Sequence, residues 1–137
     1  MIVSKEQEQK YIEMVRRNPS YLKDVKNQTE TICLEAVKRD WFSLRHVQKQ
    51  TLELCLMALR QNAYALQHVK EQTHEICLEA VRLDGRALVY VNEQTPELCL
   101  EAIKQNSYAI NYVREQTPEF CILALEQNPE VEMYLNL

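Results

Sequence analysis

Five cysteines and three histidines are the side chains of this chain best suited to nucleophilic or metal chemistry. The cysteines recur at one constant interval, at Cys33, Cys55, Cys77, Cys99 and Cys121. A zinc site usually needs two closely spaced cysteines, and the sequence has no Cys-x-x-Cys pair. A disulfide needs Cα atoms within about 7 Å, whereas neighbouring helices pack about 8–10 Å apart. The spacing therefore predicts free, buried cysteines, which are typical of a reducing compartment.

The histidines give weaker signals for chemistry. His46 and His68 occupy equivalent positions, separated by the same interval as two successive cysteines, but no acidic or cysteine ligand recurs beside them. A shared metal is therefore the less favoured hypothesis. His74 lies three residues before Cys77, and a Cys–His dyad would require that thiol to leave the core. The single glycine, Gly85, excludes a Gly-rich phosphate loop. We expect no enzymatic activity, no cofactor and no metal.

The cysteine interval belongs to an internal repeat that runs along the whole chain. A Gln-Thr pair precedes each cysteine, an alanine follows it by three residues, and an Asp or Asn follows that alanine by four. Extending the pattern backwards adds a degenerate first copy. The six copies are residues 7–28, 29–50, 51–72, 73–94, 95–116 and 117–137. They predict a single repeat domain over residues 1–137.

Each copy is expected to form two short helices. Thr95 is a good N-cap, Pro96 suits the first helical position, and Asn106 is placed to cap a second helix of about seven residues. The first helix is apolar around most of its circumference, so it must be covered by neighbouring copies. This pattern predicts an all-α fold, a right-handed α-solenoid of six two-helix repeats whose second helix is partly 3₁₀.

The segment Gln94-Thr95-Pro96-Glu97-Leu98-Cys99-Leu100-Glu101-Ala102 resembles a widespread family of short tandem repeats of unknown function. That family occurs in multi-repeat proteins of bacteria, including intracellular ones, and of large DNA viruses. The resemblance covers residues 29–128 and implies a helical repeat protein in effector-like contexts, with no catalytic residues. The period is also similar to that of leucine-rich-variant repeats, which alternate an α-helix with a 3₁₀ helix.

The best candidate binding surface is a stripe of large amphipathic side chains on the second helices. Two positions four residues apart, which share a helical face, carry them in successive copies. The stripe consists of Phe42, His46, Tyr64, His68, Arg86, Tyr90, Tyr108 and Tyr112. Such residues dominate protein interfaces, so two parallel rows of them predict a site for another protein. The competing interpretation is that half of the stripe packs against the loops or the neighbouring first helix.

An alternative surface is a basic row with one cation per copy, formed by Arg16, Lys38, Arg60, Arg82 and Lys104. One cation per repeat resembles the logic of helical-repeat RNA readers, in which each repeat contacts one nucleotide. Glutamates such as Glu13 and Glu79 lie three residues earlier and can pair with these cations, and the net charge is −4. Nucleic-acid binding is therefore the less favoured function.

The sequence thus predicts a non-enzymatic protein-interaction module, such as an effector or inhibitor that occludes a partner surface. The longest apolar runs are too short to cross a bilayer, and Met1 to Lys10 lacks the apolar core of a signal peptide. We expect a cytoplasmic protein, of the producing cell or of a host cell. Neither the partner nor the oligomeric state follows from the sequence.

Overall fold

The computed structural model describes residues 2–136, which form six α-helices alternating with six 3₁₀ helices. The α-helices are α1 (Lys5–Arg17), α2 (Glu30–Arg39), α3 (Leu52–Gln61), α4 (His74–Leu83), α5 (Pro96–Gln105) and α6 (Pro118–Gln127). The 3₁₀ helices are η1 (Pro19–Asp24), η2 (Trp41–His46), η3 (Ala63–His68), η4 (Gly85–Tyr90), η5 (Ser107–Tyr112) and η6 (Pro129–Tyr134). The predicted all-α repeat fold is confirmed.

The repeated polar residues determine where the helices begin. In α2 to α6 the preceding threonine is the N-cap, and its hydroxyl accepts the N–H three residues later, as Thr95 does from Leu98 at 3.2 Å. The Asp or Asn of each copy caps the 3₁₀ helix by accepting the N–H two residues later, as Asn106 does from Tyr108 in η5. Pro96 and Pro129 are among the prolines at helix starts, as predicted. No non-glycine residue of the described chain has a positive φ.

The second element of each repeat is 3₁₀ along its whole length rather than in part. In η2, for example, Ser43 N donates to Asp40 O and Val47 N donates to Leu44 O, which are bonds between residues three apart. The residues at both ends, Asp40 and Val47, are extended. An element this short, set between two extended ends, has little room to establish α-helical bonds.

Two compact units, Met1–Lys70 and Glu71–Leu137, each contain three repeats. Within each unit, α-helices pack on successive α-helices and 3₁₀ helices on successive 3₁₀ helices, which gives two layers. Each following α-helix also contacts the 3₁₀ helix before it, as α5 contacts η4. Leu44 and Leu88, from the 3₁₀ layer, and Ile32 and Ile103, from the α layer, are fully buried between the layers. The prediction of a single domain stays a prediction.

The glutamine of each Gln-Thr pair joins one repeat to the next. Gln50 Nε2 donates to Leu44 O at 3.1 Å and to His68 O at 2.8 Å, and its Oε1 accepts the N–H of Lys70 at 2.9 Å. Equivalent triplets are made by Gln28, Gln94 and Gln116. We call these side chains the glutamine clamps. They satisfy loop backbone groups that have no partner within their own helix.

The cysteines are free and buried, as predicted, and Cys33, Cys77 and Cys99 also donate to the glutamine of the Gln-Thr pair before them. Cys33 Sγ donates to Gln28 Oε1 at 3.4 Å, and Cys77 Sγ donates to Gln72 Oε1 at 3.6 Å. Burial raises the pKa of the Cys33 thiol to about 11, and it also raises the pKa of Cys77. These thiols are therefore packing groups with a weak donor role.

One apolar position of the α-helices is covered less than the sequence predicted. Leu34, Leu56, Leu78 and Leu100 are only half-buried, and Ile122 is 56% exposed. This apolar ridge lies in the α layer of both units. The adjacent apolar positions of these helices, such as Cys33 and Ala36, are buried.

Replacing a clamp should destabilise the protein far more than replacing a neighbouring glutamine. Gln50→Ala leaves two carbonyls and one N–H without their partner, and we expect it to lower the free energy of unfolding by about 2 kcal/mol or more. Gln48→Ala, two positions away and exposed, should cost less than about 0.5 kcal/mol. Urea denaturation of both variants tests this, and equal losses would contradict the role of the clamp.

The thiols should be unreactive in the folded protein. Because burial depletes the thiolate, we expect Ellman's reagent at pH 8 to react with native Cys33 about 100-fold more slowly than with an exposed thiol. All five cysteines should react rapidly in concentrated urea. Rapid stoichiometric labelling of the native protein would show that the thiols are accessible.

Candidate protein-binding surface

The predicted stripe lies on the 3₁₀ layer. Its exposed members are Phe42, Arg86 and Tyr108, and its half-buried members are His46, Tyr64, His68, Tyr90 and Tyr112. None of these side chains is fully buried. The stripe therefore has solvent-accessible area in both units.

The Asp and Asn caps fix the first residue of the stripe in each repeat. Phe42 N donates to Asp40 Oδ1 at 3.0 Å, and Tyr108 N donates to Asn106 Oδ1 at 2.9 Å. The same bond, between Tyr64 N and Asn62 Oδ1, is 2.9 Å long. The backbone that carries each large side chain is thus held by a local hydrogen bond.

In the first unit the stripe forms a cluster of rings. The rings of Phe42 and His68 meet edge to face with centroids 5.1 Å apart, and Trp41 lies 5.4 Å from Phe42. The Arg45 guanidinium sits over the Phe42 ring at 3.8 Å, and Arg45 Nε donates to His46 Nε2 at 3.1 Å. The cluster joins η2 to η3 and places a cation over an exposed aromatic face.

Both histidines of this cluster resist protonation. Burial lowers the pKa of His68, and the nearby Arg45 lowers it further. Burial and Arg45 also lower the pKa of His46, and Lys23 acts in the same direction while Asp24 opposes it. His68 Nε2 is buried without a hydrogen-bond partner among the residues the structure describes. The neutral imidazole therefore suits this site.

In the second unit the stripe contains a tyrosine pair. The rings of Tyr108 and Tyr134 meet edge to face with centroids 5.9 Å apart, and the Tyr108 hydroxyl donates to Glu130 Oε2 at 3.1 Å. This contact links η5 to η6. Tyr134 extends the stripe to the last repeat.

Arg86 departs from the aromatic pattern at its position. Its guanidinium binds both carboxylate oxygens of Asp84, at 3.1 and 3.0 Å. Partial burial opposes ionisation of Asp84, but hydrogen bonds from the side chain and backbone of Arg86 outweigh it and lower the pKa of that carboxyl. The stripe therefore carries a fixed ion pair at η4.

The two rows of the stripe are not independent. Phe42 of one repeat contacts His68 of the next, and Tyr108 contacts Tyr134 in the same manner. Part of each ring is used for packing between repeats, and the rest faces solvent. The contacts orient the exposed edges.

The basic row pairs differently from the expectation. Arg16 binds Glu35 of the next repeat through two bonds of 3.1 and 3.2 Å, and Arg82 lies 3.5 Å from Glu101 of the next repeat. These two arginines therefore form their close ion pairs with the next repeat. Because neighbouring α-helices run parallel, the glutamate of the next repeat comes within ion-pair distance of each arginine. The hydrogen bond with Glu35 raises the pKa of Arg16, and the charge of Glu13, in the same helix as Arg16, helps to raise it. The hydrogen bond from Arg16 lowers the pKa of Glu35.

Charge is divided unevenly along the chain, a feature that the net charge conceals. Residues 1–70 contain twelve Lys and Arg against eight Asp and Glu, a net charge of +4. Residues 71–137 contain four against twelve, a net charge of −8. Counting charges within each half would have found this signal in the sequence.

Among residues 2–136, no group of three or more His, Cys, Asp or Glu side chains is arranged to hold a metal ion. His46 and His68 thus remain a pair without further ligands. None of the helices described is long and apolar enough to span a membrane.

The described chain is an all-α protein of tandem repeats, each made of one α-helix and one 3₁₀ helix. The family described as "Domain of unknown function (DUF4116)" matches residues 51–95 and, one repeat later, residues 73–117. This offset supports the predicted likeness to a tandem-repeat family of unknown function. No curated protein and no solved structure matches the chain.

Acid should destabilise the fold through the ring cluster of the first unit. Because the pKa values of His46 and His68 are lowered in the folded state, the unfolded chain binds more protons and stability falls as the pH drops below about 6.5. We expect the urea midpoint of the wild type to fall between pH 7.5 and 5 more than that of a His46→Gln, His68→Gln double variant. Identical pH profiles would contradict this account.

Proposed function

We propose that this chain is a non-enzymatic module that binds another protein through the stripe. The observation that supports this most is that exposed aromatic edges, such as those of Phe42 and Tyr108, are held by ring contacts to the next repeat. Aromatic side chains supply large contact areas. Binding costs less when these side chains are already ordered in the free protein.

The proposed mechanism is steric occlusion of a partner surface, as an effector or inhibitor would act. The stripe combines apolar edges with polar groups, such as the hydroxyl of Tyr112 and the imidazole of His46. This mixture suits a protein surface with an apolar centre and a polar rim. We also propose a reducing, cytoplasmic location, because the five cysteines are free and buried.

Nucleic-acid binding along the basic row is the second proposal. The positive charge of residues 1–70 favours it. The engagement of Arg16 by Glu35 weighs against it, because a phosphate would have to displace a carboxylate held by two bonds. The stripe therefore remains the preferred surface.

The stripe can be tested by site-specific photocrosslinking in cells that produce the protein. A benzophenone side chain at Tyr112 should yield protein adducts, whereas the same group at Leu83, an exposed position at the end of α4, should not. A Tyr64→Ala, Tyr108→Ala, Tyr112→Ala variant that keeps its circular dichroism spectrum should lose those partners.

Two outcomes would overturn the proposal. One is retention of every partner by the folded triple variant. The other is that the adducts at Tyr112 disappear on nuclease treatment. Retention of labelled RNA on filters at low salt, lost steeply as salt rises, would support the second proposal instead.

A further inference from the structure

The apolar ridge of the α layer opens into grooves at two of the steps between neighbouring helices. One groove, between α2 and α3, has a volume of about 480 Å³, and the other, between α5 and α6, about 540 Å³. Leu52 and Ile122 line the two grooves and are 44% and 56% exposed. Neither groove involves the stripe.

These grooves arise where a glutamate of the repeat is replaced. At the step from α1 to α2, Arg16 is paired with Glu35, and at the step from α4 to α5, Arg82 is paired with Glu101. The next step in each unit has Met57 or Leu123 at the glutamate position. Each unit therefore contains one step closed by an ion pair and one that is open.

The open steps keep the basic residue of the repeat, although they lack the glutamate that pairs with it elsewhere. Lys38 lines the first groove and Lys104 the second. Both lysines are exposed, and among the described residues neither has a carboxylate oxygen within 4 Å. The first groove thus presents an ammonium group and is also lined by Arg60, whereas the second groove has Glu126 in its lining beside Lys104.

The two grooves occupy equivalent positions in the repeat pattern. Lys38 and Lys104 are three repeats apart in the sequence, and so are Met57 and Leu123. A glutamate in the first turn of the second helix, Glu53 or Glu119, is also present in each lining. Because the helices of a step are parallel, the lysine and this glutamate lie at opposite ends of the groove, which gives it a polarity.

We propose that the groove between α2 and α3, whose lining has two cations and one carboxylate, binds a peptide segment of a partner protein that inserts a bulky apolar side chain next to an aspartate or glutamate. The apolar side chain would cover Met57 and its apolar neighbours. The carboxylate would pair with Lys38 and so replace the missing glutamate. Glu53 disfavours a carboxylate at the other end and so sets the direction of the peptide.

The lysine beside the apolar groove favours a peptide that carries a carboxylate over a purely apolar peptide. An apolar segment alone would leave the lysine unpaired at the rim, whereas a neighbouring carboxylate adds an attraction that depends on salt. Side chains of leucine or phenylalanine size gain most from covering such a surface. This proposal does not depend on the stripe.

A peptide selection tests the proposal with the full chain. Phage-displayed random dodecapeptides are selected on the wild type, and binders to a Met57→Glu, Leu123→Glu variant are removed. This variant restores the carboxylates of the closed steps, so it should fold as the wild type does. We expect the enriched peptides to share a large apolar residue within four positions of an Asp or Glu.

The affinity of an enriched synthetic peptide then separates the contribution of the apolar contact from that of the lysine charge. We expect Kd to rise at least about tenfold in the Met57→Glu, Leu123→Glu variant, because the apolar contact is lost. A Lys38→Gln, Lys104→Gln variant should bind about threefold more weakly at low salt and lose its difference from wild type at high salt. Since these lysines are exposed, this second variant stays informative if the first fails to fold.

Two control variants identify the surface. Leu83→Glu changes an exposed leucine outside both grooves and should leave Kd unchanged. The Tyr64→Ala, Tyr108→Ala, Tyr112→Ala variant should also bind the peptide normally, so failure of the stripe and failure of the grooves are distinguishable.

Three results would overturn the proposal. The first is that no peptide binds the wild type in preference to the Met57→Glu, Leu123→Glu variant. The second is that the enriched peptides contain no acidic residue. The third is a concentration-dependent dimer in analytical ultracentrifugation that Met57→Glu, Leu123→Glu abolishes, since the occupant would then be a second copy of this chain.

Discussion

The structure depends on the hydrogen bonds that the glutamine clamps form with the backbone groups of the loops. A single repeat is too short to bury its own apolar helix, and the loop after each 3₁₀ helix has backbone groups without a helical partner. Gln50 supplies both an acceptor and a donor, and it reaches Leu44 and Lys70 from one side chain. Each clamp therefore makes the order of one loop depend on the next repeat, and hydrogen bonding and burial become properties of the neighbouring pair.

The α layer and the 3₁₀ layer of the repeats present different surfaces. The 3₁₀ layer holds large aromatic rings, because its Asp and Asn caps fix residues such as Phe42 and Tyr108 at the same place in each repeat. The α layer alternates ion pairs with open apolar steps, and the exchange of one glutamate for Met57 or Leu123 decides which occurs. A small number of residues therefore sets the chemistry of each face, while the cores of the repeats stay alike.

Much of this architecture could be predicted from local rules. Thr95, Pro96 and Asn106 mark helix starts because capping depends only on nearby residues, and the even spacing of the cysteines indicates packing. Contacts between repeats were harder to foresee. The Gln-Thr pair was visible, but the reach of Gln94 to Tyr112 depends on how the next loop folds back. The partner of Arg16 was misplaced for the same reason, because a helical wheel ranks Glu13 first and ignores the parallel neighbour.

The backbone has a further consequence. No residue of the described chain, Gly85 included, takes a left-handed conformation, so the loops need no special residue for their backbone geometry beyond Gln, Thr and the Asp or Asn cap. Repeats with the same three anchors therefore share one loop geometry, with the exception of Gly85, where a Cβ would clash with the Ala102 carbonyl. Recombination between copies would join compatible loops in any order, and new combinations of rings, charges and open steps would arise without rebuilding the scaffold.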